Sequence, residues 1–153
     1  MRVIVTASRT WTDRATIYDS LHIIAAAARA SRETLTVAHG CADGGDQIAD
    51  DWVRERARAG WPVVPERHPA DWKTYGRRRA GFVRNSQMCL PGADACLAFV
   101  DECVSSRCKR PKPHGSHGAT QCADFAEYRC DIPTTRVERF TVRTAEPIPD
   151  EVA

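Results

Sequence analysis

Leu35-Thr36-Val37-Ala38-His39-Gly40-Cys41-Ala42-Asp43-Gly44-Gly45-Asp46 decides how the chain is read. Leu35 and Val37 alternate with Thr34 and Thr36, the period of a strand. From about Asp46 to Ala59 the pattern becomes helical, with Ile48, Ala49, Trp52 and Val53 inward and Gly60 as a stop. A strand that passes through a glycine-rich turn into a helix leaves bare backbone N–H groups at the helix N-terminus. The peptide dipoles make that point attractive to phosphate or carboxylate. By itself the turn is also an ordinary strand-to-helix connection, so its meaning depends on the rest of the chain.

Upstream, Arg2–Thr6 is an apolar run that fits a central strand, followed by Ser8-Arg9-Thr10 and by Thr12 or Asp13 as helix cap. The next helix carries Ile17, Leu21, Ile24 and Ala28 on one stripe. Downstream, Val63 and Val64 lie between Pro62 and Pro65, a short strand away from the sheet centre. His68 to Gly76 reads as a loop or single helical turn, Arg77 to Leu90 as a helix, and Ala95–Val100 as a fully buried strand. Residues 101–118 have no usable period. Helix returns from about Thr120 to Arg129, and Pro133–Val142 gives a last strand. The alternation predicts a Rossmann-like, three-layer α/β domain: a mostly parallel sheet of about five strands with helices on both faces. One domain over 1–142 and a flexible tail over 143–153 complete the expected layout.

Composition narrows function mainly by exclusion. The 153 residues carry 22 Lys and Arg against 20 Asp and Glu, a net charge of +2, so no broad nucleic-acid footprint is written in them. No apolar segment approaches the length of a membrane span, and Met1-Arg2-Val3-Ile4-Val5 enters a strand without a signal-peptide layout. A cytoplasmic protein with no membrane partner is the expectation. Seven cysteines without a secretory signal argue against a disulfide framework. Cys41, Cys89, Cys96 and Cys130 read as small apolar residues or bystanders.

In an open α/β sheet, ligands bind beyond the carboxyl ends of the strands. The three polar turns that follow strands, Ser8–Thr10, His39–Asp46 and 101–120, should therefore share one edge. A phosphate-bearing ligand such as a nucleotide suits them. Arg9 is fitted to bidentate phosphate contact, Ser8 adds a hydroxyl, and Asp46 can accept from sugar hydroxyls. The plainer alternatives are that Asp46 caps its helix and Arg9 pairs with a surface carboxylate.

VIVTASRTWTD, HGCADGGDQIAD, HPADWKTYGRRRAG and VRNSQM, in that order and spacing, resemble the YspA/YpsA-like branch of the SLOG (Smf/DprA–LOG) superfamily over roughly residues 1–140. The resemblance implies a Rossmann-like fold and a nucleotide or nucleotide-derived ligand. LOG enzymes of the superfamily hydrolyse the N-glycosidic bond of nucleoside 5′-monophosphates. Carried over, the likeness places Ser8 and Arg9 in the first ligand turn and His39, Gly40, Gly44 and Asp46 in the second. It makes Arg84 the counterpart of a catalytic arginine, with Asn85 beside it. Gly118, Ala119 and Thr120 stand at a phosphate turn opening a helix. The alternative for Arg84 is an exposed helix residue beside Arg77, Arg78 and Arg79.

Three departures from the LOG pattern bear on turnover. Ala7 replaces a glycine, where a positive φ would cost about 1 kcal/mol or more. Gly118-Ala119 replaces Gly-Thr. Gln121 stands near the register of a glutamate, and an amide does not act as a general base. The resemblance also implies self-association, and DprA-type relatives bind single-stranded DNA. Arg77–Arg79 with Trp72 and Tyr75 would suit that role, against which the near-neutral charge weighs.

Cys103, Cys108, His114 and His117 are four soft or borderline ligands within an otherwise irregular, Pro-rich segment. A structural zinc would explain order there. Cys122 is an alternative ligand, and free thiols in a surface insertion are the plainer reading. No cofactor is required for ligand binding. Lys109, Arg110 and Lys112 either contact the anion or are solvated charges.

Overall fold

The computed structural model describes residues 1–140. Five strands, β1 (Arg2–Ala7), β2 (Leu35–His39), β3 (Val63–Arg67), β4 (Ala95–Val100) and β5 (Thr134–Glu138), form one all-parallel sheet in the order β3-β2-β1-β4-β5. Helices α1 (Arg14–Ala30) and α2 (Gly45–Arg58) cover one face. On the other lie α3 (Trp72–Cys89) and α4 (His117–Asp124), the latter continued by a π-helical turn over Phe125–Arg129. This is the expected three-layer α/β architecture.

Strand alternation sorts the core. Val3, Val5, Leu97 and Phe99 meet Ile17, Leu21, Trp52 and Val53 on the α1/α2 face. Ile4, Ala38 and Cys96 meet Met88, Cys89, Cys122 and Ala126 on the other. Asp13 caps α1, its carboxylate accepting from the Thr16 N–H at 3.1 Å. β3 is an edge strand, where Pro65 is tolerated.

The differences from the sequence expectations are local. Of the two readings for His68–Gly76 the helical turn holds from Trp72, and Gly76, whose φ of 68° and ψ of 170° break the spiral, separates it from the helix expected from Arg77, the two pieces making up α3. α4 starts at His117 rather than near Thr120, because Ser116 ends an antiparallel bridge between Glu102 and Gly115 and frees the chain to turn. The irregular stretch therefore closes before residue 118. β5 stops at Glu138, inside the expected 133–142 span, while the tail expected over 143–153 lies outside the described residues. Ala25 rather than Ile24 is fully buried in the α1 stripe, since it lies one turn beyond Leu21. Ala7 has no positive φ and continues β1, so the strain considered there does not arise. Among the described residues, no helix is long and apolar enough to cross a membrane.

Candidate functional site: a cleft at the strand switch point

Strand order reverses between β1 and β4. The chain leaves β1 toward α1 on one face and β4 toward α4 on the other, which opens a crevice at their carboxyl ends. A cleft of about 630 Å³ lies there. Ser8, Arg9, Ala42, Asp46, Arg84, Asn85, Gly118 and Ala119 all reach it. Of the expected nucleotide residues, His39, Gly40, Gly44 and Thr120 do not line it.

Those that stand back shape the wall. His39 is buried beneath its turn with both ring nitrogens engaged: Nδ1 accepts from the Cys41 N–H at 3.3 Å, so Nε2 carries the proton and donates to Asp50 Oδ1 at 3.0 Å. Burial holds its pKa below the usual imidazole value, which keeps it neutral. Gly44 has a φ of 80°, and a Cβ there would overlap the backbone carbonyls of Arg9 and Ser8. A Cβ on Gly45 would overlap that of Ala7. The glycines thus dock the second turn against the first. Thr120 faces a neighbouring cavity of about 520 Å³, together with Gln121.

Asp46 neither caps α2 nor lies open to solvent. It is buried, and its Oδ2 accepts from the N–H groups of Gly40 at 3.0 Å and Ala42 at 3.3 Å, holding the turn closed. Its other oxygen, Oδ1, is buried without a hydrogen-bond partner among the described residues. Burial pushes the carboxyl pKa up to about 6, against the pull of Arg84 and of the turn's N–H groups. The raised value means that Asp46 favours the folded state most below the ordinary carboxylate range. That contribution disappears as pH rises through about 6. A shift of this size corresponds to about 3 kcal/mol. Asp46→Asn should therefore gain on the wild type by up to about 3 kcal/mol between pH 4 and pH 7. Urea unfolding at a series of pH values checks this, and parallel stability curves would contradict it.

Arg84 is fixed from three sides. Its Nε donates to Asn85 Oδ1 at 2.8 Å, while Nη1 donates to the carbonyls of Gly40 and, at 3.2 Å, of His68. Gly40 lacks a side chain where the guanidinium lies; a Cβ there would overlap it. Nη2 has no hydrogen-bond partner among the described residues. Asn85 is buried and donates to the Gly118 carbonyl at 3.2 Å and to Gln121 Oε1 at 2.8 Å, tying α3 to the first turn of α4. Gln121 is thereby held away from the cleft. Asp124 and Glu127 pair with Arg136 at 2.9 and 2.6 Å, also away from it.

The opposite wall rises from β4. Ser8 Oγ accepts from the Asp101 N–H at 2.8 Å and lies 2.5 Å from Ser116 Oγ, joining the end of β1 to the start of α4. Asp101 in turn accepts from Thr10 Oγ1 at 2.8 Å and Arg139 Nε at 2.7 Å. Arg9 is exposed and makes no side-chain hydrogen bond or ion pair among the described residues. Sequence reasoning missed Asp101, Glu102, Ser105, Arg107 and Ser116 as parts of this wall. The rule that loops leaving carboxyl ends of strands line the site was the available signal. Of the cations in this loop, Arg107 lines the cleft, whereas Arg110 faces the neighbouring cavity and Lys109 and Lys112 line neither, in keeping with solvated charges. Arg77, Arg78 and the exposed Trp72 form the outer rim.

Cys103, Cys108, His114 and His117 are brought together, with their ligand atoms all within 4.8 Å of one another. Cys108 Sγ is 3.4 Å from His114 Nε2 and 3.2 Å from His117 Nε2, and the two nitrogens are 3.2 Å apart. His114 Nδ1 donates to the Pro111 carbonyl at 2.9 Å, which leaves its Nε2 lone pair facing the cluster. The group could hold a metal ion. Cys122 is not part of it; its side chain is in the core against Cys89.

A doubly wound Rossmann-like domain with a polar, arginine-bearing cleft at its switch point is the class that fold and geometry define. Within that class, the chain belongs to the YspA, cpYpsA-related SLOG family, whose model matches residues 1–75. It is also 46% identical over 98 residues to the Gene 61 protein of Mycobacterium phage D29, a match covering 64% of this chain and 75% of the phage protein. No solved structure matches it.

Proposed function

We propose that the cleft binds a nucleotide or nucleotide-derived phosphate ligand. The observation that carries this reading is convergence. The N-terminus of α4 meets, at one cleft, the guanidinium edge of Arg84 that is unpaired among the described residues and the exposed Arg9. Among the described residues the α4 N-terminus has no side-chain cap, so it keeps backbone donors for an anion, whereas at α2 the Gly45 N–H is taken by the Ser8 carbonyl at 3.5 Å. The unpartnered Asp46 oxygen accepts what a phosphate cannot give, a hydroxyl or amino hydrogen from the sugar or base. Family membership is consistent with a nucleotide-related ligand.

Hydrolysis of an N-glycosidic bond is the second reading. It is favoured by a buried carboxylate, Asp46, in the same cleft as Arg84, while Gln121 is turned away. Incubating the protein with AMP and separating the products by chromatography tests both readings. Adenine release that Asp46→Asn abolishes supports an enzyme. Binding without release defines a sensor. Absence of binding overturns the proposal. Single-stranded nucleic acid along Arg77, Arg78 and Trp72 would instead give affinity that grows with oligonucleotide length. Self-association, which the family resemblance implies, is read by sedimentation.

The Cys/His cluster completes the reading as a structural zinc centre. Two thiolates and two imidazoles suit zinc, and with all four positions filled by protein no site is left for a reactant. Metal analysis should give one zinc per chain.

A further inference from the structure

We infer that the metal centre builds one wall of the nucleotide cleft, so that zinc occupancy controls ligand binding. The inference rests on the zinc and nucleotide readings above and adds their coupling.

Two geometric observations carry it. The first is that three of the four ligand atoms are already spaced as around a tetrahedral ion, with Cys103 Sγ within 4.8 Å of them. Zinc–nitrogen bonds of about 2.0 Å and zinc–sulfur bonds of about 2.3 Å put nitrogen pairs about 3.3 Å apart and sulfur–nitrogen pairs about 3.5 Å apart. The observed separations, 3.2 Å between the nitrogens and 3.2 and 3.4 Å from sulfur to nitrogen, lie close to these. The Pro111 carbonyl already selects the His114 tautomer that presents Nε2.

The second is that the ligands are also cleft residues. Cys103 and His117 both line the cleft, as do Val104, Ser105 and Arg107 within the loop that the four ligands close. His117 is the first residue of α4, the helix whose N-terminus faces the proposed phosphate position. Between the ligands His114 and His117 stands Ser116, which meets Ser8 at 2.5 Å across the cleft floor. Around the loop's base, Cys103 N–H donates to the His114 carbonyl at 2.8 Å and Ser116 N–H to the Asp101 carbonyl at 2.9 Å. Beyond this base, the segment from Val104 to Lys112 is largely exposed and has no regular structure or apolar core of its own. An ion held by all four side chains supplies the missing cross-link. It fixes the helix start, the Ser116 hydroxyl and Arg107 relative to Ser8 and Arg84.

Hydrogen exchange on the zinc-loaded and chelator-stripped protein, with an AMP titration of each, tests the coupling. Stripping should speed exchange at least tenfold over residues 102–120 and leave β1, β2 and β3 protected, and AMP affinity should fall at least tenfold. His117→Ala should behave as the stripped protein, and His117→Cys, which keeps four ligands, should regain both zinc and protection. The inference is overturned if the protein takes up no zinc or if its removal leaves exchange over 102–120 unchanged. It is equally overturned if AMP binds alike with and without the metal. A zinc-loaded protein that orders this wall yet binds no AMP overturns the nucleotide reading alone, and the exchange data distinguish the two failures.

Discussion

Arg84→Ala should lower the affinity for AMP by about 10- to 100-fold and leave the sheet intact. A charge-assisted hydrogen bond contributes about 1.5–3 kcal/mol, which sets that range. The large effect follows from how the guanidinium is held. Nε and Nη1 are bound by Asn85 and by the carbonyls of Gly40 and His68, so little rotamer freedom remains to be lost when Nη2 meets an anion. The same contacts tie α3 to the turn after β2, so unfolding stability should drop by about 1–2 kcal/mol. Arg84→Lys should not restore binding, because an ammonium cannot satisfy two carbonyls, an amide and a ligand in one plane. Calorimetric titration of the three proteins gives the answer. An affinity unchanged in Arg84→Ala would make this arginine a strut between α3 and the turn.

The second large effect belongs to a residue that never reaches the cleft. Gly44→Ala should destabilise the fold by about 3 kcal/mol, because a left-handed backbone strain adds to overlap with two backbone carbonyls. For a chain of this size that is a fall of roughly 10 °C in Tm. Gly60 is the internal control: its φ is also 80°, yet a Cβ there meets nothing within 4 Å, so Gly60→Ala should cost only about 1 kcal/mol. The difference between the two, read by thermal unfolding, isolates the close approach of the second turn to the first. Equal losses would mean that the two turns do not depend on this contact. Gly118 gives the complementary case, since it faces the cleft with open space around it. Gly118→Ala should unfold as the wild type does.

The fold was legible because each strand is bounded by polar turns and each helix carries a recognisable stripe. Ile17, Leu21 and Ala28 on α1 and Ala49, Trp52 and Val53 on α2 are buried as the period requires. The two-piece character of α3 was legible as well: a single helical turn up to Gly76 and a helix from Arg77 are what the glycine break separates.

The cleft was legible in outline, through the strand-end rule and the family resemblance. Its inner logic was not. His39 looks like a ligand residue in sequence and is a buried, neutral support, because Asp50 one helical turn into α2 comes back to meet it. Asp46 looks like a helix cap and instead closes the turn from inside, a role that depends on burial by distant residues. The β4 wall has no periodicity, so the parts played by Arg107 and Ser116 emerge only once β1 and β4 are paired. The Cys/His spacing, by contrast, named four residues that do come together.

The central claim is that Ser8–Arg9, the Asp46 turn, Arg84 and the start of α4 form one ligand site. Titrating AMP into the ¹⁵N-labelled, zinc-loaded protein and following backbone amide shifts tests it most directly. Saturable shifts should cluster at Ser8–Thr10, Ala42, Asp46, Arg84 and Gly118–Ala119, and leave the α1 surface unmoved. No saturable shift, or shifts confined to residues outside this cleft, would contradict the claim.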